Sequence, residues 1–136
     1  MRAVQATRFG GPDVLVAAEL ADPAPTPGQV LVDVSAAEVL FLDTQLRRGS
    51  GREYFTVEPP YVPGAGVAGT VIAIGDGVDP GWIGRRVVAN TAGLGEHAGG
   101  GYAERAAVPA DQVFEVPDGL ALDVAACTAS GAGGPA

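Results

Sequence analysis

Few side chains in this sequence have the type and setting for chemistry. His97 is the only histidine and Cys127 the only cysteine. A tetrahedral Cys/His zinc centre therefore cannot be assembled, and no internal disulfide can form. His97 lies among glycines beside Glu96. A general acid or base needs a second group to orient it and some exclusion of water. A glycine-rich run supplies neither, so His97 reads first as a solvated loop residue and only second as an acid–base group. Cys127 sits in an alanine-rich segment without a basic neighbour to depress its pKa, which marks it as a packing residue. Ser35 and Ser130 have no base near them in sequence, so nothing argues for a nucleophile–base pair. The candidates for acid–base work are Tyr54, His97 and Glu104. Asp43 stands near the start of a predicted helix, where a carboxylate satisfies free backbone N–H groups, and is expected to be structural.

Two glycine-rich stretches invite a phosphate-loop reading. Gly131-Ala132-Gly133-Gly134 resembles a fragment of a dinucleotide turn. Such a turn needs a strand before it, a helix after it and an acidic residue about 20 positions on, and none follows in the sequence. The other stretch runs from Pro59 to Asp76 and organises the chain. Its prolines fix an extended entry. Gly64, Gly66 and Gly69 then leave room for a second backbone or a flat ligand within a β-branched segment that ends at the turn Gly75-Asp76-Gly77. A barrel strand kinked by glycine is expected. Tyr54, Phe55 and Tyr61 flank its entry, where aromatic rings either stack on a planar ligand or pack among loops.

The elements that must position these groups are short and mostly extended. Of the 136 residues, 47% are hydrophobic, with 21 glycines and 11 prolines between short apolar runs; this describes a turn-rich, mainly β domain. Strands are predicted at Met1–Phe9, Val14–Leu20, Gln29–Ser35, Trp82–Asn90, Tyr102–Val108 and Val113–Val116. Short helices are predicted at Leu40–Arg48, with Leu42 and Leu46 on one face and Gly49 as its left-handed cap, and at Ala121–Thr128. Residues 1–129 form the domain, and 130–136 a flexible glycine-rich tail. The net charge of −8 argues against nucleic acid or an anionic membrane as partner. No apolar run approaches the roughly 18 residues of a membrane helix, and the N-terminus lacks a secretory core, so a cytoplasmic setting is expected.

The order of motifs is more specific than any one of them. Met1-Arg2-Ala3-Val4, Phe9-Gly10-Gly11-Pro12-Asp13-Val14-Leu15, Pro27-Gly28-Gln29-Val30-Leu31-Val32, Asp43-Thr44-Gln45-Leu46-Arg47-Arg48-Gly49, Pro60 to Val71, Gly84-Arg85-Arg86-Val87, Gly100-Gly101-Tyr102-Ala103-Glu104 and Val116-Pro117-Asp118-Gly119 occur in that order. Together they resemble the N-terminal catalytic domain of the zinc-independent quinone oxidoreductases, a branch of the medium-chain dehydrogenase/reductase superfamily. The resemblance runs to about Ala126. It implies a GroES-like, partly open β-barrel with short helices, the substrate side of an enzyme that moves a hydride from NADPH to a quinone or enone. Where zinc-dependent relatives carry a metal cysteine and Gly-His-Glu, this sequence has Ala36-Ala37-Glu38 and Pro63-Gly64-Ala65-Gly66, which implies no metal. Leu40, Gln45, Tyr54 and Tyr61 are the expected cleft residues, and Leu40 and Phe41 occupy the cofactor-side positions. There the family has an asparagine at Leu40, and often a tyrosine at Gln45. The family continues into a Rossmann domain that this sequence does not contain.

Two functions follow. The first is the substrate-side domain of an NADPH-dependent quinone or enone oxidoreductase, not redox-competent alone, with NADPH held elsewhere. Its partners would be a small planar substrate and a second copy or a Rossmann-bearing chain. The second is a cofactor-free module that binds a small planar ligand or a partner, or does non-redox acid–base chemistry; Leu40 in place of the family amide favours it.

Overall fold

A computed structural model describes residues 1–50, 58–91 and 100–129. Among these residues seven strands form two sheets. Strands β1 (Arg2–Ala6) and β2 (Leu15–Glu19) pair antiparallel as a hairpin, from Arg2 opposite Glu19 to Ala6 opposite Leu15. Its turn contains a 3₁₀ segment at Pro12–Val14, where Pro12 supplies the fixed φ that a first helical position tolerates. The second sheet holds β3 (Gln29–Ala37), β4 (Gly66–Ile74), β5 (Arg86–Asn90), β6 (Arg105–Pro109) and β7 (Val113–Glu115), in the order β6-β3-β4-β5-β7. Helix α1 (Phe41–Arg47) follows β3, and α2 (Leu122–Ala126) follows β7. This is the expected mainly β class with short helices, and no closed barrel forms among the described residues.

Alternation places Val30, Val32, Val67, Val71, Val87 and Val108 in one fully buried cluster. β-Branched side chains with restricted χ1 suit such a pleated interior. The β3–β4 pairing is irregular, with shifts at Leu31/Val32 and Val34/Ala36. A Cβ at Gly69 would collide with the carbonyl oxygen of Asp33. The open face of that glycine is therefore filled by the neighbouring strand, not by a ligand. A second cluster packs Ala125, Ala126 and Ala129 against Ala68, Val88 and Val116, seating α2 on the sheet.

Three expectations need correction. Trp82–Arg85 is not strand. Pro80–Trp82 is a 3₁₀ turn capped by the Asp79 carboxylate, which accepts from the Gly81 N–H at 2.9 Å, and β5 begins only at Arg86. Tyr102–Glu104 precedes β6, tied instead to β1 by the Val4 N–H to Tyr102 C=O bond (2.8 Å) and the Glu104 N–H to Arg2 C=O bond (3.0 Å). Cys127 is exposed rather than packed, because it lies on the outer side of the turn after α2, with its thiol on the Asp123 carbonyl at 3.7 Å. The expected tail at 130–136 lies outside the described residues.

Candidate functional site

Helix α1 builds the most polar part of the interior. Leu46 is buried and Leu42 partly so, both in a cluster with Ala6, Val14 and Tyr61. That apolar face docks the helix on the hairpin; Asp43 meets Tyr102, just before β6, and Arg47, four residues on, meets Gly10 in the hairpin turn. Gly49 ends the helix at φ +86, as its cap position requires.

Asp43 is 7% exposed. Its Oδ2 accepts two hydrogen bonds, from the Leu40 backbone N–H at 2.9 Å and from the Tyr102 hydroxyl at 3.1 Å. The first makes Asp43 the expected cap of α1. The second joins it to a residue 59 positions away. Burial pushes the Asp43 carboxyl above its ordinary range, against the pull of both hydrogen bonds, and the nearby Glu38 charge pushes it further. Burial and the Asp43 charge raise the Tyr102 phenol strongly, so the phenol stays protonated and donates. Tyr61 is raised by burial and by Asp43, with Arg47 opposing. Its hydroxyl is enclosed and unpartnered among the described residues. Arg47, 8% exposed, donates from Nε to the Gly10 carbonyl at 3.2 Å, while the Gly10 N–H donates back to the Arg47 carbonyl at 2.8 Å.

Asp43, Thr44, Arg47 and Tyr102, with Leu15, Val39 and Pro63, wall a cavity of about 220 Å³. Val39 and Tyr102 also line an open trough of about 590 Å³ between the hairpin and β3. A third hollow, about 530 Å³, is walled by Ala37, Glu38, Leu40, Ala126 and Cys127. Both Glu38 carboxylate oxygens are enclosed and without a hydrogen-bond partner among the described residues.

The residues singled out from the sequence do not converge on one point. Leu40 lies on the third hollow, and Phe41 beside it is 75% exposed. Gln45 is half-buried on α1 and lines none of these three hollows. Tyr61 is 2% exposed and belongs to the cluster beneath α1. Glu104 is exposed on the trough, and its carboxylate accepts the Arg2 backbone N–H. That bond holds the carboxyl below its ordinary range, so Glu104 anchors β1 and suits an acid's role poorly. Tyr54, Phe55, Glu96 and His97 lie outside the described residues. Sequence reasoning passed over Tyr102, Arg47 and Glu38. Only the placement of Tyr102 within the Gly100-Gly101-Tyr102-Ala103-Glu104 motif could have drawn attention to it. Among the described residues no three His, Cys, Asp or Glu side chains converge on a metal-binding point, and no helix is long and apolar enough to cross a membrane.

Residues 26–118 match the family described as the alcohol dehydrogenase GroES-like domain. The chain is 37% identical over 123 residues to human quinone oxidoreductase, an alignment covering 88% of this chain and 35% of that protein. It is 37% identical over 114 residues to a 2-haloacrylate reductase from a Burkholderia species, covering 84% of this chain and 33% of the relative. A mycobacterial protein solved in complex with NADPH superposes with a TM-score of 0.77 at 38% identity, over 93% of this chain and 37% of that one. The chain thus spans about a third of the length of these curated relatives.

Proposed function

This chain belongs to the alcohol dehydrogenase GroES-like domain family, with quinone oxidoreductases among its relatives, and from that premise we propose that it is the substrate-side domain of an NADPH-dependent reductase of quinones or enones. One observation carries the reading. The described residues build a partly enclosed cavity beside an open, mostly apolar trough, with Tyr102 and Val39 on both, a wall suited to a small planar substrate.

The positions that face the cofactor by resemblance do not fit a nicotinamide well. Leu40 offers no side-chain hydrogen bond, and its backbone N–H is taken by Asp43. Phe41 offers only an exposed ring. Cofactor affinity then rests mainly on a nucleotide-binding unit outside these residues, and this domain contributes the substrate wall and exclusion of water. Tyr54 and His97 remain proposed acid–base residues of that wall, and the exposed Val39, Phe41 and Val124 would meet the partner unit or a second copy. A cytoplasmic setting, where NADPH is available, fits this role.

Fluorescence titration with NADPH should give no micromolar binding to the 136-residue chain alone. NADPH consumption with a quinone should appear when a nucleotide-binding unit is added. Turnover by the chain alone would refute this division of labour. Leu40, which offers no side-chain hydrogen bond at a cofactor-side position, favours a second reading: a cofactor-free module that binds a small ligand. Ligand binding with no turnover in any such mixture would select it.

A further inference from the structure

Glu38 is the one acidic side chain among the described residues whose two carboxylate oxygens are both enclosed and without a hydrogen-bond partner. No ion pair reaches it among those residues either. Its backbone is fixed just past the end of β3, where its N–H donates to the Gly66 carbonyl at 2.8 Å. A carboxylate taken out of water without a donor is costly, and the fold supplies no donor in return. Glu38 lines the hollow of about 530 Å³ between the end of β3 and α2, a size within the roughly 300–1,000 Å³ of small-molecule sites. Apart from Glu38, Asp123 and Cys127, the wall is alanine, valine and leucine. No arginine lines it, and the chain has no lysine. Both carboxylates on this wall therefore carry the same sign with nothing to balance them. Asp123 is exposed, and its Oδ1 already accepts the Val124 N–H at 2.8 Å. Glu38 is the uncommitted one.

We propose that this hollow binds a small molecule with an apolar body and a planar amidinium or guanidinium head, the parallel N–H groups of the head on the two oxygens of Glu38. Such a head meets both acceptors at once, which a point charge such as an ammonium does not. No hydrogen bond holds the carboxylate where it stands, so turning it into the hollow breaks none and gains two. The apolar body lies against Ala37, Leu40 and Ala126, with the exposed Val39 beside them. A quinone or an enone carries no such charge, so the site adds a class of ligand to the reductase reading and does not rest on it.

The test uses the full chain with benzamidine, benzamide and benzoate, which share a ring and differ in the charge of the head group. Titration calorimetry should show benzamidine binding saturably at about 1 mM or tighter, benzamide at least about tenfold more weakly, and benzoate not at all. Cys127, the only cysteine, is exposed on the wall of the hollow and reports its occupancy. Saturating benzamidine should slow its alkylation by iodoacetamide, followed by intact mass, and benzamide at the same concentration should not. Glu38→Gln keeps the shape and removes the charge, so it should erase the preference for benzamidine over benzamide; Glu38→Asp should retain part of it. Asp123→Asn should change the benzamidine affinity by about twofold or less. If Glu38→Gln does not fold, the Glu38 carboxyl-carbon resonance of the parent chain decides: it should move on titration with benzamidine and stay with benzamide. A preference that survives Glu38→Gln, an unprotected Cys127, a loss on Asp123→Asn as large as on Glu38→Gln, or no saturable benzamidine binding would each overturn the proposal. None of these readouts involves hydride transfer, so failure here leaves the reductase reading standing.

Discussion

Tyr102→Phe removes one oxygen and leaves the ring in place, so it isolates the bond that ties α1 to the segment before β6. Asp43 keeps the Leu40 N–H at 2.9 Å and loses the phenol at 3.1 Å. A hydrogen bond to a charged acceptor contributes about 1.5–3 kcal/mol. At 3.1 Å this one is longer than the usual O–H···O separation of about 2.7–2.8 Å, which places the expected cost at about 1.5–2 kcal/mol at neutral pH.

The cost should depend on pH, with a definite sign. Burial raises the folded-state pKa of Asp43 above its ordinary value of 3.8. The folded protein therefore holds that proton more tightly than the unfolded chain, and this group's contribution to stability falls as pH rises from 3.8 through the folded value. The Tyr102 hydroxyl opposes burial by favouring the charged form. Removing it raises the folded pKa further, so the variant is penalised most at neutral pH and recovers in acid. Urea unfolding of parent and variant at about pH 7 and about pH 4 measures this difference, and titrations common to both proteins cancel. Asp43→Asn is the control. It keeps an acceptor for both donors and has no charge to desolvate, so Tyr102→Phe in that background should cost about 0.5–1.5 kcal/mol, equally at both pH values. An equal cost at both pH values in the Asp43 protein, or no cost at neutral pH, would refute the reasoning.

Three further outcomes are expected. Gly69→Ala places a methyl against the Asp33 carbonyl of the neighbouring strand, where backbone cannot yield as a side chain would, and should cost at least about 3 kcal/mol in urea melts. Tyr61→Phe removes a buried hydroxyl without a partner among the described residues and should be neutral or stabilise by up to about 1 kcal/mol, in contrast to the same change at Tyr102. Glu38→Leu removes a carboxylate whose enclosed oxygens have no partner among the described residues. It should raise stability by about 1–3 kcal/mol and lower the apparent Asp43 pKa, followed by carboxyl-carbon NMR, because the Glu38 charge is one of the influences raising it.

What the sequence made legible was local. Alternation marked β1 and β3, since a strand with one buried face must repeat every two residues; the Gly10–Asp13 turn marked β2 as the return strand, and a glycine-punctuated β-branched run marked β4. Leu42, Leu46 and Gly49 marked α1 and its end, and the chemistry of capping marked the role of Asp43. Trp82–Arg85 was misread because its apolar residues continue the run that follows. Pro80, the Asp79 cap and the stacking of Arg85 on Trp82, 5.3 Å to the ring centroid, fold it as a turn instead. Cys127 was misread because an alanine-rich helix does not reveal which side faces the sheet. Here Ala125, Ala126 and Ala129 take that side.

The polar interior was illegible for a stronger reason. On an isolated helix, Asp43 and Arg47 at i and i+4 would pair with each other, a gain of about 0.2–0.5 kcal/mol. In the fold both are diverted. Asp43 turns back to the Leu40 N–H and across to Tyr102, and Arg47 reaches Gly10 in the hairpin turn. Each diversion joins α1 to a different part of the chain, so neither partner can be inferred from the helix's own spacing. The tertiary hydrogen bond from Tyr102 to Asp43, at about 1.5–3 kcal/mol for a bond to a charged group, outweighs the local pair it displaces, so this arrangement becomes visible only once residues 10, 43, 47 and 102 stand together.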